Sequence, residues 1–271
     1  MRNRIESFQV VRGIAVALVF LSHCEKILYI NEANRLMYLG GMGVSIFIAM
    51  SGFLEAYKYS EKEPSNALGI VYFKWRKFFW LHIVTLIMSL PLSLSLFRSN
   101  PFRGGITLVT NGLLLQTWIP KSSVYFSFNA VSWYLSVTLF FAMILPLATK
   151  LWKKIDVKQT VISSFVLLAF EIILCLVLRN KGYAHWVVYV FPVMRGLDFI
   201  LGGGYYRIAQ NLQENGKTLP KLLLWCSISL LVTFGCISML WSTELFSTAV
   251  WTLPATWLIA SVYYFEKCKA S

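Results

Sequence analysis

The stretch RGIAVALVFLSHC, residues 12–24, decides the fold class, because it is apolar nearly throughout, as a membrane helix should be. It nevertheless begins with the charged side chain of Arg12 and contains the titratable imidazole of His23. Ionisable groups inside an apolar span are costly, and they normally face a bundle interior or a wet cavity. The stretch therefore predicts a membrane helix and makes Arg12 and His23 the first candidates for function.

The same apolar character extends along the whole chain. Of its 271 residues, 57% are hydrophobic and 14% are charged, whereas soluble domains carry about 25% charged residues. The apolar residues form long runs, and about 20 such residues cross the roughly 30 Å of bilayer hydrocarbon. We therefore expect an all-α, polytopic transmembrane helical bundle of about eight to nine spans, built as one integral-membrane domain over residues 1–271.

Nine apolar runs are predicted as spans. In chain order they cover Val10–Leu28, Leu39–Tyr57, Phe78–Leu96, Ile106–Ile119, Val131–Thr149, Thr160–Leu178, Trp186–Tyr206, Leu219–Trp241 and Phe246–Phe265. The fourth run is short, and Asn111 and Gln116 make it polar for contact with lipid. It is therefore interpreted either as a span or as a re-entrant segment.

Basic residues between the apolar runs set the expected orientation. They include Arg2 and Arg4 before the first run, and Lys58, Lys62, Lys74, Arg76 and Lys77 between the second and third. The positive-inside rule makes both stretches cytoplasmic. The basic segment KLWKKIDVK, residues 150–158, falls on the same side only if the fourth run is re-entrant. We expect a multi-pass cell-membrane protein with a cytoplasmic N-terminus.

The net charge of +13 indicates which partners to expect. Because the basic residues lie mainly beside apolar runs, the inside bias and attraction to anionic membrane lipids explain most of the charge. We expect no nucleic-acid partner, and a smaller share of the charge remains for a polyanionic cofactor.

The five cysteines form no CxxC pair, so no metal site is predicted. The sequence indicates no particular oligomeric state.

Arg12 and His23 are spaced to share one face of a helix. They are eleven residues apart, which brings a helix almost back to the same direction and separates them by roughly 16 Å along its axis. A guanidinium suits a phosphate, and an imidazole suits proton transfer. The spacing is comparable with the reach of a pantetheine arm. The alternatives are a snorkelling Arg12 at the interface and a structural hydrogen bond of His23 between helices.

The order of the apolar segments resembles the acyltransferase 3 family of integral-membrane O-acyltransferases, whose first helix carries an Arg, ten residues, then a His. The segments that carry the resemblance after residues 12–24 are GVSIFIAMSGFL (43–54), YFKWRKFFWLHIVTL (72–86), LLLQTWIP (113–120), FSFNAVSWYLSVTLFF (126–141) and FPVMRGLDFILGG (191–203). Relatives usually continue through a further helix, so the chain, which stops at Ser271, is expected to be short at its C-terminus.

The resemblance implies transfer of an acyl group, most often acetyl, from a cytoplasmic acyl-CoA such as acetyl-CoA to a hydroxyl of a cell-surface or lipid-linked glycan. His23 matches the essential His of the family and Arg12 its paired Arg. The family's basic loop, which is expected to receive the CoA phosphates, corresponds here to Lys74, Arg76 and Lys77. We expect His23 to act as a general base, or to carry the acyl group itself.

Five further residues are candidates for substrate binding. Ser51 could donate to the developing oxyanion, although helix packing is the favoured interpretation. Trp133 and Tyr134 could stack on a sugar or belong to an aromatic belt at the membrane surface. Arg195 and Asp198, three apart on one predicted helix, are expected to pair, either as a structural ion pair or in contact with substrate.

Two other classes of function stay open. A transporter or flippase for a lipid-linked sugar or small anion would use His23, Arg195 and Glu171 as a proton or substrate pathway. Such proteins often contain internal repeats, and none is detected. A catalytically inactive membrane scaffold is the third interpretation.

Overall fold

The computed structural model describes residues 5–24, 36–62, 64, 66–215, 219–240 and 248–270. Within these ranges the regular structure is entirely helical, which confirms the all-α prediction. The helices are α1 Ser7–His23, α2 Leu36–Lys58, α3 Ala67–Ser89, α4 Leu94–Ser99, α5 Pro101–Gly112, α6 Ser122–Tyr125, α7 Trp133–Lys154, α8 Val157–Leu178, α9 Pro192–Asn215, α10 Leu219–Leu240 and α11 Ala249–Ala270. Arg2, Arg4 and parts of the first, eighth and ninth predicted spans lie outside the described residues.

Fewer helices than predicted are long and apolar enough to cross a membrane. In the described part of the chain, α2, α7, α8 and α10 meet that description, and α3 with α4 adds a fifth if a pair bent by 53° counts as one span. Pro91 lies at that bend, where it cannot continue the hydrogen-bond ladder of α3. The predicted count of eight to nine spans is therefore not confirmed.

Helix α3 begins earlier than the sequence predicted. The side chain of Asn66 accepts a hydrogen bond from the backbone N–H of Leu68, and this cap starts the helix at Ala67 rather than at Phe78. Lys74, Arg76 and Lys77 therefore lie on a helix and not in a loop. The apolar pattern did not predict this earlier start, because charged residues such as Lys74, Arg76 and Lys77 interrupt it. Long charged side chains are nevertheless good helix formers.

The fourth predicted span is a broken segment. Helix α5 has 12 residues, and it is followed by Leu114 in a left-handed conformation with φ 57° and by a 3₁₀ turn at Gln116–Trp118. Asn111 is fully buried, and its amide donates to the carbonyl of Val124 and to Ser127 Oγ. The N–H donors of this side chain are thus bonded to the chain that follows, whereas its Oδ1 is buried without a partner in the described residues, and no continuous helix covers 106–119.

The chain divides into two compact units. One contains residues 1–63, 149–180 and 197–271, and the other contains residues 64–148 and 181–196. In the first unit, α11 packs between α2 and α10, where Trp251 is fully buried against Met42, Leu231 and Phe234.

Glycines bring α2 and α9 into close contact in the first unit. A Cβ atom at Gly52 would collide with the backbone oxygen of Phe199, and one at Gly202 would collide with the backbone of Ala49. Backbones of helices approach this closely only where the facing residues are small. The Ser-Gly step at the end of the GVSIFIAMSGFL segment is therefore a packing point for α9.

The C-terminal end of α7 is fastened to α9 in the same unit. The Trp152 ring lies over Gly203, where a Cβ atom would collide with it, and Trp152 Nε1 donates to the Ile200 carbonyl at 2.7 Å. Arg207 Nε and Nη2 donate to the carbonyls of Trp152 and Lys153 at 3.0 and 3.2 Å. A guanidinium at the last carbonyls of a helix also interacts favourably with the helix dipole.

Candidate active site

Arg12 and His23 lie on one continuous helix. The buried side of α1 is formed by Phe8, Val11, Ala15 and Ser22, whereas Arg12 and His23 are both exposed. At 3.6 residues per turn, both candidates lie about 80° around the helix from the centre of the buried side. They therefore share one face at the edge of the packing surface, three turns apart, and packed apolar residues do not seal them off.

Small residues set how closely α1 approaches α2. A Cβ atom at Gly40 would collide with Ser22, and one at Gly43 would collide with the Ala15 carbonyl and the side chain of Val19. Ser22 itself donates to the Val19 carbonyl at 2.7 Å, which satisfies its hydroxyl within α1. The GGMGV sequence of α2 thus holds the helix that carries both candidate residues.

In the part of the chain that the structure describes, the Arg12 guanidinium contacts neutral side chains. Nη1 donates to Gln9 Oε1 at 3.1 Å, and Nη2 makes a weak contact of 4.0 Å with Met50 Sδ. Within the described residues no carboxylate pairs with it, so its full charge and remaining N–H donors can serve an anion. His23 is the last residue of α1, and its ring makes no hydrogen bond with any residue that the structure describes.

Ser51 follows Met50, the α2 residue whose Sδ contacts the Arg12 side chain. Its Oγ donates to the Phe47 carbonyl, one turn earlier in the helix, at 2.8 Å. Together with the contact of Gly52 with α9, this bond agrees with the packing interpretation of the Ser-Gly step. To donate to an oxyanion, the hydroxyl would have to rotate away from Phe47.

Trp133 is part of an aromatic cluster in the second unit. It is only 6% exposed, and its ring lies 4.9 Å from Tyr189, which in turn lies 5.0 Å from His185. This burial leaves little of the Trp133 face for a sugar. Tyr134 is half-buried and is the better placed of the two predicted stacking residues.

The predicted pair on α9 is buried. Arg195 and Asp198 are 0% and 1% exposed, and Asp198 Oδ1 accepts a hydrogen bond from Thr252 Oγ1 of α11 at 3.1 Å. Charges are retained at such positions only where other groups compensate the loss of water. This burial favours the structural interpretation of the two residues over contact with substrate.

The candidate residues are divided between the two units. Arg12, His23, Ser51 and Asp198 belong to the first, and Lys74, Arg76, Lys77, Trp133, Tyr134 and Arg195 belong to the second. Of the basic residues on α3, Arg76 and Lys77 are exposed and Lys74 is half-buried. Among these candidates, the structure therefore places Arg12 and His23 together on α1, which packs against the adjoining segment of α2.

Glu266 of α11 holds the N-terminus of α1, a contact that the sequence gave no reason to expect. Its carboxylate accepts hydrogen bonds from the backbone N–H groups of Glu6 and Ser7, both at 2.7 Å. Desolvation opposes ionisation of Glu266, but the bonds from Ser7 and Glu6 outweigh it, and the pKa of Glu266 lies below its ordinary value. The carboxylate therefore caps the helix that carries Arg12.

The substitution Glu266→Gln is expected to lower Tm by a few degrees near neutral pH. A depressed carboxyl pKa stabilises the fold above the unfolded pKa of about 4.3, and this stabilisation is lost as pH falls through the folded pKa. The difference in Tm between wild type and variant should therefore shrink below about pH 4. Thermal unfolding in detergent from pH 7 to 3 measures it, and a constant difference would contradict the role of the ionised carboxylate.

A buried imidazole in the second unit was also missed. His82 of α3 is 1% exposed, and its Nε2 lies 2.9 Å from the backbone carbonyl of Asn111, which can only accept. Nε2 therefore carries the proton, and the bond joins α3 to α5. No spacing in the sequence distinguishes this His from an ordinary apolar position of a span.

The comparisons agree with the pattern of segments. A model of a family described as an acyltransferase domain matches residues 5–268. Among curated proteins, the chain is 26% identical over 226 residues to Acyltransferase MdmB of Streptomyces mycarofaciens. That match covers 73% of this chain and 56% of the relative, so the chain spans little more than half of the curated relative's length. No solved structure matches the chain.

Proposed function

We propose that this chain, which belongs to the acyltransferase 3 family, transfers an acyl group from an acyl-CoA to a hydroxyl group of a saccharide. The donor is cytoplasmic acetyl-CoA, and the acceptor is a cell-surface or lipid-linked glycan. The chain acts as one domain in the cell membrane, with several spans and a cytoplasmic N-terminus. The family match, which runs almost from end to end, supports a single domain.

One observation carries the proposal: Arg12 and His23 lie on the same exposed face of α1, three turns apart. The family match supplies the reaction class, and this face supplies two groups with the required chemistry. The guanidinium N–H groups of Arg12 can form hydrogen bonds with a phosphate of the acyl-CoA. His23 lies roughly 16 Å farther along the helix, where an imidazole can exchange a proton with the reacting groups.

In the proposed reaction His23 takes the proton of the acceptor hydroxyl while its oxygen attacks the thioester carbonyl carbon. A C–O bond forms, and collapse of the tetrahedral intermediate breaks the C–S bond. The imidazolium then returns its proton to the departing thiolate, so that the products are the O-acyl ester and the CoA thiol. If His23 instead carries the acyl group, labelled donor without acceptor would leave label on the protein.

The other candidate residues have secondary roles in this proposal. Lys74, Arg76 and Lys77 on α3 hold CoA phosphates, and Arg76 and Lys77 are exposed as that role requires. Tyr134 contributes one face for the acceptor sugar. Ser51 supports the oxyanion only after its hydroxyl leaves the Phe47 carbonyl.

A carrier for a lipid-linked sugar or small anion is the second candidate function. The observation that favours it is the burial of Glu171 within α8, where this charged side chain is 2% exposed. Ionisable groups at such positions often mark transport pathways.

Labelled acetyl-CoA distinguishes the two functions. The purified chain is reconstituted in vesicles with an extract of cell-envelope saccharides and acetyl-CoA labelled in the acetyl group. Covalent label in the saccharide is the expected result. Movement of the saccharide or of a small anion across the vesicle membrane without covalent label would favour the carrier, and folded protein that gives neither result would favour the inactive scaffold.

The space between Arg12 and His23 provides a further test. Val16 lies between them on the same face and is 52% exposed, whereas Ile14 is 55% exposed on the opposite side of α1. Val16→Phe is expected to lower the transfer rate about 10- to 100-fold, because a displaced donor loses its reactive geometry. Ile14→Phe is the matched control and should leave the rate unchanged. Equal effects of the two variants would contradict a donor path along this face.

A further inference from the structure

A polar cleft lies between the start of α8 and the end of α9. Its volume is about 510 Å³, and its lining includes Asp156 and Lys158 from α8 and the turn before it, and Arg207, Gln210 and Asn211 from α9. All of these residues belong to the first compact unit. None of the residues assigned above to acyl transfer lines this cleft.

Arg207 is held rigidly at the wall of the cleft. Its Nε and Nη2 donate to the last carbonyls of α7, on Trp152 and Lys153. Within the described residues its third nitrogen, Nη1, has no hydrogen-bond partner. A guanidinium fixed on one side and open on the other is preorganised to bind an anion, because little side-chain entropy remains to be lost.

The other polar side chains of the cleft also have hydrogen-bond donors that are not in use. The side chains of Lys158, Gln210 and Asn211 make no hydrogen bond or ion pair with the part of the chain that the structure describes. Asp156 is the acidic member, and its Oδ1 accepts from the backbone N–H of Gln159 in the capping box of α8. The lining thus offers two cations and two amides against one carboxylate that is already engaged, which favours an anionic ligand.

The cleft also lies at the ends of two long apolar helices. It adjoins the C-terminal end of α7 and the N-terminal end of α8, two helices that are long and apolar enough to span a membrane. The KLWKKIDVK segment that connects them supplies Lys158. Ends of spanning helices reach the headgroup layer, where basic pockets bind anionic lipid headgroups.

We propose that this cleft binds a phosphate group, held by Arg207 Nη1, Lys158 Nζ and the amides of Gln210 and Asn211. The phosphate belongs either to an anionic lipid headgroup or to a soluble nucleotide or coenzyme, because both present the same oxygens to a guanidinium. The site is separate from the α1 face, so the binding of phosphate in this cleft does not depend on whether the chain catalyses acyl transfer.

Two probes distinguish the sources. The purified chain in a neutral detergent is titrated with short-chain phosphatidylglycerol in one arm and with adenosine 3′,5′-bisphosphate in the other, and binding is measured calorimetrically. Lys158→Gln is expected to weaken binding of the true ligand about tenfold. Arg207→Lys keeps the charge but loses the planar fork, and should weaken it by a similar factor.

Lys154→Gln is the matched control. Lys154 is an exposed lysine of the same basic segment but does not line the cleft, so its loss should weaken binding less than about twofold. Binding of either probe with this difference between Lys158 and Lys154 supports the site and identifies the source. Binding of neither probe, or equal losses in the two lysine variants, would overturn the proposal.

Discussion

The substitution His23→Gln is expected to lower the rate of acyl transfer by about 10²- to 10⁴-fold, the range that general acid–base catalysis contributes. Glutamine retains the ability to form hydrogen bonds, but it cannot take the proton of the acceptor hydroxyl at neutral pH. His23 is exposed at the end of α1 and makes no hydrogen bond with the described residues, so the variant should fold normally.

The loss of rate must be separated from a loss of folded protein. Tm in detergent and the affinity for acetyl-CoA should both stay at their wild-type values in the His23→Gln variant, since the ring neither packs in the bundle nor binds the donor phosphates. A variant that transfers acetyl groups at more than about a third of the wild-type rate would exclude His23 as the base, because general-base catalysis contributes far more.

The substitution Gly52→Ala is expected to have the largest effect on stability. A Cβ atom at Gly52 would lie far closer to the Phe199 backbone oxygen than real Cβ contacts allow, and a backbone cannot move aside as a flexible side chain can. Helices α2 and α9 would have to separate, at a cost of about 3 kcal/mol. For a chain of this size, we expect Tm to fall by about 10 °C.

Gly105→Ala is the matched control for this prediction. A Cβ atom at Gly105, within α5, would meet nothing within 4 Å. The same change of residue should therefore leave Tm unchanged or raise it slightly, since alanine has the higher helix propensity by about 1 kcal/mol. Equal decreases in Tm for both variants would contradict the close approach of α2 and α9.

The sequence predicted those features that depend on local periodicity. The apolar run after Arg12 became one helix, and the eleven-residue spacing placed Arg12 and His23 on a shared face because α1 is continuous between them. The all-α class was predicted correctly because the apolar runs are too long to be β-strands. The ambiguity at Asn111 and Gln116 was also visible, because polar side chains in an apolar run need partners that only tertiary structure can supply.

Other features depend on contacts between distant residues and could not be predicted. Glu266 caps α1 across 259 positions of the sequence, and a lone Glu near the end of an apolar run looks like an ordinary interfacial residue. The start of α3 depended on the Asn66 side chain rather than on hydropathy. Arg207 was missed because its role comes from α7 carbonyls that pack against it only in the folded chain.

The separate roles proposed for Arg12 and His23 are tested most directly by the steady-state kinetics of labelled acetyl transfer. The variants are Arg12→Gln and His23→Gln, and the concentration of acetyl-CoA is varied. If Arg12 holds a donor phosphate, Arg12→Gln should raise KM for acetyl-CoA about 10- to 100-fold with little change in kcat. His23→Gln should lower kcat and leave KM almost unchanged. Wild-type kinetics in both variants, or the two effects exchanged between them, would contradict a donor that lies along this face with its thioester at His23.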